Sequence, residues 1–175
     1  YPVVGDWVLV HLLDKETHAV IHSVLTRRTL LLRKTAGKDV TAQTIAANID
    51  IVFIITGLDG NYNLRRIERY LVAVQESGAK PVVLLNKCDL AKDVQGRLCE
   101  ALAVAGPARV LLVSALTGTG MDDLERLIAP GVTSCFVGSS GAGKSTLINR
   151  LAGTELVRTA EVREIDSRGR HTTTH

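Results

Sequence analysis

Two short polar stretches in this chain have the residue types and spacing to hold a purine nucleotide. One is Gly138-Ser139-Ser140-Gly141-Ala142-Gly143-Lys144-Ser145, followed by Thr146. Glycines let a backbone curl until successive N–H groups face one anion, and a lysine beside them adds a point charge. In this pattern Lys144 reaches the β- and γ-phosphates, the Ser145 hydroxyl joins a Mg²⁺ shell, and Thr146 supports the α-phosphate side. The other stretch is Asn86-Lys87-Cys88-Asp89. Guanine presents N1–H and an exocyclic amine as paired donors, and the Asp89 carboxylate can accept both; adenine offers no such pair. Asn86 can contact the base's other edge and tie the loops together, while the Lys87 stem lies on the purine face. A third element, Ser114-Ala115-Leu116 before Thr117-Gly118-Thr119-Gly120, can offer the Ala115 N–H to the guanine oxygen.

These loops need strand ends to carry them. Ile51 to Ile55, Pro81 to Leu85, Arg109 to Val113 and Cys135 to Val137 are short apolar runs. Between them, apolar residues recur at helical spacing: Leu64, Ile67, Leu71 and Val74; Val94, Leu98, Ala101, Leu102 and Ala105; Met121, Leu124, Leu127 and Ile128. Leu147, Ile148 and Leu151 mark a last helix after the glycine-rich loop. Apolar strands alternating with helices predict an α/β fold, a parallel sheet covered on both faces. Each polar loop then falls at a carboxyl strand end, where such folds bind ligands.

The order of the motifs is informative. In an ordinary GTPase the phosphate loop precedes the guanine-reading tetrapeptide; here it follows. A circularly permuted P-loop GTPase domain is therefore expected over residues 41–175. Residues 1–40 read as a β appendage, the last part of a small barrel, with runs at Val3-Val4, Trp7 to Val10, Ala19 to Ile21 and Leu30 to Leu32. Thr41 to Asn48 reads as a linker.

Composition adds bounds. At 175 residues and 46% apolar, the chain can bury a core, and +3 of net charge decides little about partners. Cys88, Cys99 and Cys135 lack the spacing of a disulfide framework or a zinc site, and read as buried free thiols in a reducing cytoplasm. No apolar run reaches the ~20 residues of a membrane span. The chain opens without Met and stops just after a Thr-rich loop, so a fragment is expected.

The sequence resembles the circularly permuted GTPases of ribosome assembly, and within them the ribosome small-subunit-dependent GTPase A family. The blocks that carry the likeness are Pro2-Val3-Val4-Gly5-Asp6, Ala47-Asn48-Ile49-Asp50, Gly57-Leu58-Asp59, Asn63-Leu64-Arg65-Arg66-Ile67-Glu68-Arg69-Tyr70, the phosphate loop, and Gly169-Arg170-His171-Thr172-Thr173-Thr174. The resemblance implies an OB-type barrel, then the permuted GTPase domain, then a zinc-binding domain. It implies GTP/GDP and Mg²⁺ as ligands, with zinc only in a C-terminal domain this chain lacks. It also implies a cytoplasmic, monomeric factor that binds the small ribosomal subunit and its rRNA in late maturation, with GTP hydrolysis stimulated by the subunit. The family's Asp-x-Pro-Gly segment is absent too, so turnover by this chain alone is expected to suffer.

Thr172, Thr173 and Thr174 all qualify as the first-switch threonine; by resemblance Thr173 is the Mg²⁺ ligand. No glutamine stands in the motifs to orient water. His171, with an ordinary pKa near ~6.5, is the candidate catalytic residue, with Arg170 a lesser source of charge. Gly141 offers no side-chain ligand for a monovalent cation, so potassium activation by that route is not expected.

Arg27, Arg28, Arg33, Lys34 and Lys38 are candidate RNA contacts, as are Arg65, Arg66 and Arg69, with a solvated surface as the alternative for each. An aromatic content of 3% favours phosphate contacts over base stacking. Two further functions compete with subunit-stimulated hydrolysis: a nucleotide-gated RNA-binding assembly factor with little or no hydrolysis, and an ATP-dependent small-molecule kinase, against which Asp89 argues.

Overall fold

The computed structural model describes residues 1–13, 18–34 and 42–157. The N-terminal part holds β1 (Val8–Leu12), β2 (Ala19–Val24), β3 (Leu30–Lys34) and β4 (Ala42–Ala47). They form two separate antiparallel pairs, β1 with β2 and β3 with β4. Two expectations change here. Residues 42–47 are no linker but strand β4, paired to β3 from Leu30↔Ala47 to Lys34↔Ala42. Val3 and Val4 form no strand; Asp6 N–H closes a turn onto the Val3 carbonyl at 3.1 Å.

That turn is held by charge. Arg27 donates to both carboxylate oxygens of Asp6, at 2.7 and 2.8 Å, and Val3 N–H donates to the same carboxylate at 2.8 Å. The Arg27 bond holds the Asp6 carboxyl down to about 2, below its ordinary 3.8. The stabilisation from the ionised pair is full above the unfolded carboxyl's pKa and disappears as pH falls through the folded one. Asp6→Asn cannot titrate. The melting-temperature gap between wild type and this variant should thus be constant above about pH 5 and narrow between about pH 4 and pH 2.

The remaining elements are β5 (Ile51–Gly57), α1 (Leu64–Ser77), β6 (Lys80–Asn86), α2 (Val94–Ala105), β7 (Arg109–Leu112), α3 (Met121–Glu125), β8 (Ser134–Gly138) and α4 (Lys144–Ala152). A single 3-10 turn, Cys88–Leu90, follows β6. The strands build one parallel sheet in the order β7-β6-β5-β8. Side chains alternate across it as the strand period requires. Val52, Ile54, Val83 and Leu85 pack on one face with Ile67, Leu71 and Val74 of α1 and Ala101 and Ala105 of α2. Phe53, Ile55, Val82 and Leu84 pack on the other with Met121 and Leu124 of α3 and Leu147 of α4. Helices therefore cover both faces.

Local chemistry sets the helix ends. The Asn63 side chain accepts from Arg66 N–H at 2.9 Å and caps α1, and Gly78 ends it in a left-handed turn. Asp93 caps α2 through Gly96 N–H at 2.8 Å. α3 is shorter than the apolar spacing implied. Leu127 and Ile128 instead continue in tighter turns onto Leu124 and Glu125, as the chain approaches Pro130. Cys88 and Cys135 are partly buried free thiols whose pKa burial raises, whereas Cys99 is exposed, contrary to the expected burial of all three.

Candidate functional site

The sheet order creates a crevice. From β5 the chain steps outward to β6 and β7, then returns to place β8 on the other side of β5. Ligands of open α/β sheets bind outside the carboxyl ends at such a reversal. Register aligns those ends: Gly57 of β5 lies opposite Asn86, and Ile55 lies opposite Gly138. The two polar loops thus begin on either side of one central strand. Phe53 and Phe136 stack at 4.9 Å and add to the join between β5 and β8.

The loops are bonded to each other. Asn86, 2% exposed, donates from Nδ2 to the Ala142 carbonyl at 2.9 Å. Among the described residues its amide oxygen is buried without a partner. Gly143 permits this approach: its φ is +93°, and a Cβ there would overlap the Asn86 amide nitrogen. Gly138 is similar at φ +153°, where a Cβ would meet the Ile55 carbonyl oxygen. Both positions require glycine, one for each end of the loop.

Asn86, Lys87 and Asp89 line one cavity of about 150 Å³ together with Ser114, Ala115 and Leu116. Gly143 and Thr146 close its phosphate-loop side, and Leu90 completes the lining. Leu116 is 78% exposed and Leu90 62%, and both apolar side chains line the cavity beside the Asp89 carboxylate's loop. That suits a flat heteroaromatic ring with a polar edge. The Ser114–Gly120 loop is fixed internally: Ser114 N–H donates to the Thr119 carbonyl and Gly118 N–H to the Ser114 carbonyl, each at 2.9 Å. Cys88 does not line the cavity; its N–H donates to the Val113 carbonyl at 3.3 Å and fastens the 3-10 turn to the end of β7.

On the phosphate side, Lys144 Nζ donates to the carbonyls of Gly138 at 3.0 Å and Ser139 at 2.7 Å, and burial lowers its pKa. An ammonium has three donors, so these bonds leave one for an anion. Ser145 and Thr146 stand in the first turn of α4, whose N-terminus carries no side-chain cap. Uncapped N–H groups and the helix dipole favour an anion there. Ser140, Gly141 and Ala142 form the loop's crest, with Ala142 fully buried.

Three residues that sequence reasoning did not assign to the nucleotide loops also contact them, Asn61 and Arg66 on the phosphate loop and Asp59 on the base-reading loop. Asn61 Nδ2 donates to the Ser140 carbonyl at 2.8 Å, and Arg66 Nη1 donates to Ser139 Oγ at 2.8 Å. Asp59 pairs with Lys87 Nζ at 2.5 Å. A polar run directly after an all-apolar strand was the available signal. Arg65 and Arg69 are exposed, but Arg66 is half-buried against the loop, which divides the expected basic face. Arg27 is engaged with Asp6, and Arg28 pairs with Asp50 at 3.4 Å while staying exposed. His171, Thr172, Thr173, Thr174, Arg170 and Lys38 lie outside the described residues.

A divalent cation fits the donors present if anions bring most of its ligands. Mg²⁺ keeps waters and takes one or two protein oxygens plus phosphates. Ser145 supplies such an oxygen, and among the described residues no cluster of three His, Cys, Asp or Glu could cage a metal. No described helix is long and apolar enough to cross a membrane.

Comparison with known proteins agrees with this geometry. The family model of the RsgA GTPase matches residues 24–175. A small ribosomal subunit biogenesis GTPase RsgA from Opitutus terrae is 45% identical over 182 residues, covering 99% of this chain and 50% of the relative. Its namesake from Methanosarcina acetivorans is 51% identical over 176 residues, covering 99% and 47%. The chain thus spans about half the length of these curated relatives. The crystal structure of YjeQ from Thermotoga maritima superposes with a TM-score of 0.71 at 28% identity, covering 91% of this chain and 54% of that one. YloQ, described as a circularly permuted GTPase, shares the fold with a TM-score of 0.58 at 22% identity, covering 86% and 50%. A match that starts at Val24 and runs through both scrambled loops to the last residue decides the kinship: this chain belongs to the RsgA GTPase family.

Proposed function

We propose that this chain is the guanine-nucleotide-binding part of a GTP hydrolase that acts in biogenesis of the small ribosomal subunit. One observation carries the reading: Asp89 and the phosphate-loop residues Gly143 and Thr146 line the same cavity, and Asn86 bonds the two loops together. In this reading Asp89 accepts the paired donors of guanine, the Ala115 N–H meets the base oxygen, and the Lys87 stem covers one purine face. The N–H groups of residues 138–146 and Lys144 hold the phosphates, with Mg²⁺ on Ser145 and Thr173. His171 orients the attacking water when contact with the subunit and its rRNA orders the first switch. Arg28 is an exposed cation suited to rRNA phosphate contact. The protein acts in the cytoplasm as a monomer.

The test is equilibrium binding of GDP and ADP, followed by phosphate release from GTP with and without purified small subunits. Guanine preference of at least about 100-fold is expected, because a mispaired base edge leaves buried polar groups unmet. Subunits should then accelerate release. Tight guanine-specific binding without accelerated release would instead indicate a nucleotide-gated assembly factor. Equal affinity for GDP and ADP would sink the reading altogether.

A further inference from the structure

The loop after β5 stands between the base-reading loop and the phosphate loop, because β5 lies between β6 and β8. Its polar residues contact both neighbours. On one side the Asp59 carboxylate pairs with Lys87 Nζ at 2.5 Å. Its other oxygen accepts Asn61 N–H at 3.0 Å. On the other side Asn61 donates to the Ser140 carbonyl at 2.8 Å, and its side-chain oxygen accepts from Arg66 Nη1 at 2.9 Å and from Ser139 Oγ at 3.1 Å. Arg66 also donates to Ser139 Oγ at 2.8 Å. Tyr62 anchors the loop from behind: its ring lies under the Arg97 guanidinium at 4.6 Å, and its hydroxyl donates to the Arg97 carbonyl at 3.3 Å.

We infer that Asp59, Asn61 and Arg66 form a brace that positions the phosphate loop for the terminal phosphate and links that grip to base recognition. The inference rests on the nucleotide-binding reading above. Ser139 is held from two sides, by Lys144 at its carbonyl and by Arg66 at its hydroxyl. Lys144's place is set by the carbonyls of Gly138 and Ser139, so displacement of Ser139 displaces the ammonium. A lysine at this position serves the β- and γ-phosphates, so an error in its place costs a triphosphate more than a diphosphate. Arg66 is thus a positioning residue that acts through Ser139. Neither glycine spacing nor the guanine tetrapeptide includes it.

The test titrates fluorescently labelled GDP and a non-hydrolysable GTP analogue into wild type, Arg66→Ala, Ser139→Ala and the double variant. Arg66→Ala should weaken the GTP analogue about tenfold and GDP about threefold or less, as loss of its charge-assisted bond to Ser139 implies. In the Ser139→Ala background the same change should add less than about twofold, because the partner hydroxyl is already gone. Equal losses for both nucleotides would reduce Arg66 to general stability and overturn the brace. So would an undiminished tenfold loss in the Ser139→Ala background, which would mean that Arg66 does not act through Ser139. If Arg66→Ala fails to fold, Arg66→Lys is read in the same way, with a smaller triphosphate-selective loss expected and equal losses overturning the brace. Failure of wild type to bind either nucleotide overturns the nucleotide-binding reading and the brace together, and so is distinct from the other outcomes.

Discussion

Asp89→Asn should trade guanine for xanthine. The carboxylate offers two acceptors to the N1–H and amine of guanine; an amide replaces one acceptor with a donor, which then faces the amine. Xanthine carries a carbonyl where guanine has that amine, so the amide's N–H gains a partner. GDP affinity should fall about 100-fold or more, while xanthosine diphosphate, bound poorly by wild type, should be bound better by the variant. Competition titrations with the two diphosphates measure both changes. The thermal midpoint should hold, because Asp89 is exposed. Equal weakening for both bases would mean that Asp89 shapes the loop and does not read the ring.

Gly143→Ala should remove nucleotide binding by a different route. A methyl group there meets the Asn86 amide nitrogen, and φ of +93° strains any L residue. The strain costs roughly 1–2 kcal/mol. Breaking the Asn86–Ala142 bond leaves buried polar groups unmet at about 1–3 kcal/mol more. Spread over this chain length, about 3 kcal/mol lowers the midpoint by roughly 6–12 °C. GDP and GTP should lose affinity alike, by about 100-fold, since the loop's whole curl shifts. Calorimetric melting with a parallel titration checks both parts. A variant that melts and binds like wild type would show that the two loops do not need this contact.

Much of the architecture was legible because the sheet is covered on both faces. Ile51 to Ile55 and Pro81 to Leu85 read as strands without alternation, and the structure sends alternate residues to two cores. The phosphate loop and guanine tetrapeptide were legible because their chemistry is local: backbone curl, one lysine, one carboxylate. What escaped depends on distant partners. Ala42–Ala47 contains three alanines, and only Thr44 and Ile45 favour a strand; pairing with β3 makes it one more than its own propensity does. Arg27 reads as a free cation until Asp6 is found beside it, and Arg66 as one of three surface arginines until β8 brings Ser139 within reach. The residues 158–175, where His171 and Thr173 stand, belong to the sequence reading alone.

The order of strands in the sheet also has a consequence during translation. A nascent chain is delivered from its N-terminus, and units fold as they emerge. β5, β6 and β7 are neighbours in space and consecutive in the chain, so they can assemble while β8 is still unmade. A protein of the usual motif order would emerge with its anion cradle first. Here the cradle arrives after those three strands, and its own strand must dock beside the first of them. Capture of a nucleotide would therefore certify that synthesis has passed α4 and that β8 has docked beside β5.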